Sequence, residues 1–379
     1  MPRQRFPFAR PLVPRPEAWL AYLEPAYEAQ WFTNRGPVSR VLEAELAERI
    51  GGGRAVAAVS SATAGLTATL LALGVRGTVV VPAFTFPATI HAIELAGCRP
   101  VLCDIDPTTS ELDPASAREA VERHGCAAIL HVRAFGMARD LTDIDATARE
   151  LGVPLVIDAA ASFGGRQPNG EPVGRMGNAE VFSFHATKVF AIGEGGAVAA
   201  SPDLIERIHH VANFAIAGDD VTSRALNAKL AEQPSAVGRA MLQVLDDHVT
   251  VREHAAATLS AVARNHGAGV PGSDVGRPPW QCLPVELPAH VSRAAVMAAL
   301  GDAGIESRAY YCPGLHRSTA WSSHALGPLP GTDELAARSL CVPIYSDLVG
   351  LELGLFGEAL DHALAAGSSH GSTRGSLAA

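Results

Sequence analysis

Apolar residues along this chain fall into two rhythms, and their alternation predicts the architecture. Leu42, Leu46 and Ile50 recur at helical spacing, and Gly51-Gly52-Gly53 ends that helix. Ala55 to Val59 is then an unbroken apolar run of strand length, closed by Ser60-Ser61-Ala62-Thr63, and an Ala/Leu-rich helix follows to about Leu73. The pattern repeats downstream. Strands are predicted over Thr78–Val81, Pro100–Ile105, Ala127–Val132 and Val153–Ile157, and helices over Thr89–Leu95, Ala115–Arg123 and Leu141–Leu151. Each parallel crossover needs a helix to return the chain, so this alternation implies an α/β fold with a mostly parallel, buried sheet. Sites in such sheets gather at the carboxyl ends of the strands.

Beyond Val198 the pattern turns helical. His248–Ala263 reads as a long connecting helix, followed by Gly/Pro-rich sequence from Gly267 to Pro279 and a smaller α/β unit from Gln281 to about Ala366. The expected division is a large domain over residues 1–245 with an N-terminal arm, a small C-terminal domain over 246–366, and a polar, disordered tail over 367–379. No internal repeat is present.

Composition narrows the class. A length of 379 residues with 48% hydrophobic and 18% charged residues suits a large α/β domain plus a smaller one. The net charge of −9 argues against a broad nucleic-acid or acidic-membrane footprint, while leaving room for a local basic pocket. Six scattered cysteines with no C-x-x-C pair read as reduced thiols of a cytoplasmic protein, neither a disulfide framework nor a zinc site. No apolar run is long enough for a membrane span, and the first residues, MPRQRFPFARPLVPRP, lack the apolar core of an export signal.

Several residues at element ends could carry chemistry. Asp158 closes the run Leu155-Val156-Ile157 and precedes Ala159-Ala160-Ala161, a placement that suits either a helix cap or a carboxylate facing a flat ring. Lys188 sits between the apolar segment Phe182-Ser183-Phe184 and the turn Gly193-Glu194-Gly195-Gly196, where a solvated lysine is unexpected. Desolvation there would lower its pKa toward the nucleophilic amine. Ser61-Ala62-Thr63-Ala64 reads as ordinary capping or as a phosphate cradle at a helix N-terminus. Ser183 could add a hydroxyl to that cradle, and Phe86 is by default a core residue. Glu194 reads as a turn-supporting residue. His209-His210 lacks a matching ligand set for a metal, and no G-x-G-x-x-G follows the first strand.

Taken together, these segments resemble the DegT family of pyridoxal phosphate-dependent sugar aminotransferases. The resemblance runs from about Trp31 to about Tyr345 through WFTNRGPVSRVLEAELAE, VSSATAGL, VPAFTFPATIHAIELAGCRPVLCDIDPTTSELDP, VIDAAASFGG, VFSFHATKVFAIGEGGAV, LNAKLAEQ and SRAYYCPGLHR, in family order. It implies a fold-type I transferase with pyridoxal 5′-phosphate as cofactor. By the same resemblance, Lys188 would hold the cofactor aldehyde as an imine and later carry the transferred proton. Asp158 would pair with the pyridine nitrogen, Phe86 would stack on the ring, and Ala62, Thr63 and Ser183 would hold the phosphate. Asn227 matches an asparagine that reaches the phosphate from the neighbouring subunit, which implies a homodimer with shared sites. Asn34, Arg308, Tyr311 and His316, with Tyr310, fall where relatives approach the substrate.

The implied reaction moves an amino group from an amino acid, expected to be glutamate, to a keto-sugar or cyclitol ketone, in amino-sugar or natural-product biosynthesis. Two departures from the family pattern stand out. Ala161 occupies a position usually filled by glutamine or histidine near the cofactor's O3′, and Ala62 stands where glycine is common. A family dehydratase is the alternative enzyme, but those relatives replace the lysine with histidine, whereas Lys188 is kept. A non-catalytic regulatory protein of the same fold is the alternative from another class, supported by Ala161 alone.

Overall fold

The computed structural model describes residues 5–372. Its centre is a seven-stranded sheet of β1 (Ala55–Val59), β2 (Thr78–Pro82), β3 (Arg99–Cys103), β4 (Ala128–Val132), β5 (Leu155–Asp158), β6 (Ala179–Ser183) and β7 (Gly196–Ala200). The spatial order is β1-β7-β6-β5-β4-β2-β3. Strands β2 to β6 pair in parallel, and β7 runs antiparallel to both β1 and β6. Only β7 breaks the parallel pattern, because a turn around Gly193–Gly195, and not a helix, returns the chain after β6.

The connecting helices are α1 (Pro37–Ile50), α2 (Ala62–Ala72), α3 (Pro87–Leu95), α4 (Pro114–His124), α5 (Thr142–Glu150) and α6 (Pro202–Ala212). Strand residues alternate between faces, so each strand feeds two cores. Val79, Val81, Val156 and Val181 pack with Leu66, Ile90 and Ile205 of α2, α3 and α6 on one face. Val80, Ile129, Ile157 and Phe182 pack with Leu42, Ala117 and Ile144 of α1, α4 and α5 on the other.

A 34-residue helix, α7 (Glu232–Asn265), leads out of this layer. It begins sixteen residues before the predicted His248, because Pro234 and Gly238 hide its helical period. Pro234 lies in the first turn, where a missing N–H costs nothing, and Gly238 lets Leu42 of α1 come within 3.0 Å of where a Cβ would lie. The helix is continuous across residue 245. Leu245 and Val249 pack in the core that holds Leu42 and Phe182, and Ala255, Leu259 and Ala263 in a third core. That core is completed by β8 (Cys282–Glu286), α8 (Arg293–Asp302), β9 (Ser339–Pro343) and α10 (Gly350–Ser372), with α9 (Pro330–Arg338) alongside. Strands β8 and β9 form an antiparallel pair.

The expected disordered tail needs correction. Helix α10 continues through Ser372, and Gly367 is buried where a Cβ would lie 2.4 Å from Val296 of α8. Its carbonyl accepts the Ser292 N–H at 3.2 Å. A composition-based reading sees only a flexible glycine, whereas here the missing side chain lets two helices touch. Residues 373–379 of that expectation lie outside the described residues. No helix among the described residues is long and apolar enough to cross a membrane.

Candidate active site

The register brings one end of the sheet together. Val59 pairs with Gly196, and Gly196 with Ser183, so the turn into α2, the end of β6 and the Lys188 loop share an edge. Asp158 lies beside Val132 and Val181 at the same level. Between them is a cavity of about 410 Å³, inside the range of roughly 300–1,000 Å³ common for small-molecule sites.

Asp158 and Lys188 both line this cavity. Asp158 Oδ2 accepts the Thr89 hydroxyl at 2.7 Å and Oδ1 the Ala160 N–H at 3.0 Å, so each oxygen keeps a lone pair for a further donor. Burial pushes its carboxyl above the usual range, and the Thr89 and Ala160 bonds and the Lys188 charge pull it back. Lys188 Nζ donates to Gln281 Oε1 at 3.0 Å. Burial pushes its amine below the ordinary lysine value, with Asp158 opposing.

Ala62 and Thr63 open α2 and line the cavity. Their N–H groups belong to the first turn and have no intrahelical acceptor, so they face any anion in the cavity together with the positive end of the helix dipole. Ser61 caps the helix by accepting the Ala64 N–H at 3.1 Å. The capping and cradle readings of this turn are therefore compatible. Ser183 lies on the same wall, its hydroxyl accepting the His185 N–H at 3.3 Å. Phe86 is no core residue: it stands at the N-cap of α3, 54% exposed, and lines the cavity. These groups fit pyridoxal phosphate. A buried lysine whose amine is pushed below its ordinary value, a buried carboxyl with spare acceptor capacity, an anion cradle and an aromatic face surround one volume.

The substrate residues are spread more widely. Tyr311 lines the cavity, stacked on Phe135 at 5.7 Å and edge-on to Phe84 at 5.2 Å, and Tyr310 stands beside it. Arg308 is exposed and paired with Glu306, His316 bonds Asp333 at 3.0 Å, and neither belongs to the cavity wall. Asn34 and Asn227 are exposed and also lie outside the cavity of their own chain. Ala161 is in the wall. So are Thr85, Thr89, Arg133 and Gln281, which sequence reasoning passed over. The spacing of Thr85 and Thr89 across Pro87 was the one available signal.

An α/β sheet with a lysine and a buried aspartate meeting over a helix N-terminus defines a fold-type I pyridoxal phosphate enzyme. Comparison with known proteins gives the family. The chain belongs to the DegT/DnrJ/EryC1/StrS aminotransferase family, whose profile matches residues 16–354. It is thus an aminotransferase with pyridoxal phosphate as cofactor. It is 30% identical over 350 residues to a dTDP-4-amino-4,6-dideoxy-D-glucose transaminase of Shigella dysenteriae, covering 89% of this chain and 94% of that protein. It is 34% identical over 350 residues to the erythromycin biosynthesis sensory transduction protein EryC1 of Saccharopolyspora erythraea, covering 88% and 90%. The crystal structure of DesI in the presence of its TDP-sugar product superposes with a TM-score of 0.90 at 31% identity, covering 98% of this chain and 96% of that one.

Proposed function

We propose that this protein transfers the amino group of glutamate to the ketone of a nucleotide-linked sugar, in amino-sugar biosynthesis. The observation that carries the reading is the meeting of Lys188 and Asp158 in one cavity whose floor is the N-terminus of α2. The bound cofactor supplies an electrophilic carbon and an electron sink. Asp158 keeps the ring nitrogen protonated, Phe86 covers one ring face, and Ala62, Thr63 and Ser183 hold the phosphate. Lys188 binds the cofactor and afterwards moves the proton at the substrate carbon, for which its depressed pKa suits it. The sugar-nucleotide names attached to the Shigella relative and to DesI support the acceptor class.

The working unit in this reading is a homodimer. Asn227, exposed and outside its own cavity, reaches the partner's phosphate. Ile216 and Val221 on the neighbouring hairpin, and Phe214 just before it, are exposed, which accords with a covered surface there. Of the substrate candidates, Tyr311 faces the acceptor. Arg308 and His316 are assigned to shaping the segment around it through Glu306 and Asp333, and exposed Asn34 remains available to a partner's site. The large domain, residues 1–245, supplies the cofactor groups. The small one, residues 246–366, contributes Gln281, Tyr310 and Tyr311. The unpaired cysteines accord with a cytoplasmic setting.

Purified protein loaded with cofactor should show a visible band that bleaches on addition of glutamate and returns on addition of a dTDP-linked keto-sugar. A band indifferent to glutamate and to every other amino acid would refute the transfer reaction.

A further inference from the structure

Asp158 is held by more than its own loop. Its Oδ2 accepts the Thr89 hydroxyl at 2.7 Å, and Thr89 Oγ1 lies 2.9 Å from Thr85 Oγ1, both threonines being fully buried. An ionised carboxylate only accepts, so the single Thr89 proton is committed to Asp158. Thr85 must then donate to Thr89, and the chain runs one way, from Thr85 through Thr89 to Asp158. Bonds in such a chain polarise one another, and the last one, to an ion, is about twice as strong as a neutral one.

Helical threonines have a cheaper option. Thr67 and Thr69 in α2 bond back to the carbonyls of Thr63 and Gly65, four residues earlier. Thr89 instead reaches a strand 69 residues further along the chain. The same short segment carries Phe86, whose carbonyl accepts the Thr89 N–H at 3.1 Å. One turn thus positions both the aromatic cover and the carboxylate's hydroxyl donor. Thr89 is also the largest influence opposing the effect of burial on Asp158.

We propose that Thr89, oriented by Thr85, is a positioning residue for amino transfer, fixing the Asp158 carboxylate in one orientation and in its charged state. The proposal rests on the assignment of Asp158 to the cofactor's ring nitrogen. Thr89→Val removes the donor at nearly constant shape. It should weaken pyridoxal phosphate binding about ten- to a hundredfold, the range for a hydrogen bond to a charged group. It should also move the acid limb of cofactor binding to higher pH and lower kcat while leaving KM for glutamate within about twofold. Thr89→Ser should restore all three. Thr85→Val should move them in the same direction by less, and it carries the test if Thr89→Val does not fold.

Asp158→Asn, measured alongside, separates the two levels. If Asp158→Asn loosens the cofactor while Thr89→Val binds it with the wild-type constant and pH curve, the relay is refuted and the Asp158 assignment stands. If Asp158→Asn also binds as wild type, both fail. A Thr89→Ser variant no better than Thr89→Val would likewise overturn the hydroxyl's role.

Discussion

Gly196 offers the sharpest test of how the phosphate cradle is built. It begins β7, between β6 and the start of α2. A Cβ there would lie 2.6 Å from the Phe182 carbonyl oxygen, 2.8 Å from the Ala62 nitrogen and 2.9 Å from the Ser61 carbonyl carbon. All three are backbone atoms well inside van der Waals contact, so no side chain can swing away. Relief must come from separating the N-terminus of α2 from the sheet. Overpacking of a core typically costs about 1–3 kcal/mol. With backbone on every side, Gly196→Ala belongs at the upper end, about 3 kcal/mol. In a chain of this size that lowers Tm by roughly 3–5 °C. The displaced groups are the same N–H donors assigned to the phosphate, so the cofactor should also bind about ten- to a hundredfold more weakly, the range for a lost charge-assisted bond. Differential scanning fluorimetry of the apo protein and a cofactor titration followed by protein fluorescence would measure the two effects separately. Gly301→Ala is the matched control. It lies in α8 with nothing near its missing Cβ, and should be neutral or slightly stabilising. A Gly196→Ala variant with wild-type Tm and wild-type cofactor affinity would refute the close approach of β7 to α2 and the cradle built on it.

Two further outcomes follow from the same geometry. Burial holds the folded-state pKa of Asp158 above its unfolded value, so the stabilisation this group gives the apo protein is present at low pH and lost as pH rises through the folded pKa. Asn is neutral throughout, so apo Asp158→Asn should melt above the wild type near neutral pH. That advantage should vanish toward about pH 4, where model carboxyls protonate; apo Tm values across this range check the sign, and a variant less stable than wild type at neutral pH contradicts it. For the shared site, Lys188→Ala and Asn227→Ala should each be impaired alone, and mixing them after subunit exchange should restore activity through heterodimers with one intact site. No recovery in subunits shown to exchange would place Asn227 outside the partner's site.

Much of the fold was legible because strand and helix rhythms in this chain differ clearly. β1 was predicted residue for residue, and α2 to α5 nearly so, since each pairs an apolar run with a cap or glycine stop. The antiparallel β7 was not legible: GAVAA reads the same in either direction, and direction is fixed by the turn before it. The early start of α7 and the helical 367–372 were hidden by Pro234, Gly238 and Gly367, whose positions in the helix are set by tertiary contacts. In the site, Lys188, Asp158, Thr63, Ser183 and Phe86 were named from motif and resemblance. Gln281 was not, because a polar residue before a strand carries no signal until the strand's neighbour is known. Arg308, His316, Asn34 and Asn227 illustrate the converse. A motif gives their place in the chain, but the walls of one subunit's cavity exclude them.

Lys188 and Asp158 share one cavity with opposing electrostatic needs. A lysine that must act as a nucleophile near neutral pH needs its positive charge disfavoured, and burial does that. On the proposed assignment the cofactor's ring nitrogen needs a negative partner in Asp158, which is close enough to influence Lys188 and works against the first requirement. The fold reconciles them by giving each its own neighbour. Asp158 accepts from hydroxyl and N–H donors on its own side, Thr89 and Ala160, which oppose the effect of burial on its carboxyl. Lys188 meets Gln281, whose amide oxygen accepts a hydrogen bond without adding a negative charge. A carboxylate at 281 would hold the amine as ammonium. The neutral amide accepts from Lys188 and leaves its pKa to be set mainly by burial, so on the proposed assignment the region after residue 245 would enter the chemistry through a residue that carries no charge.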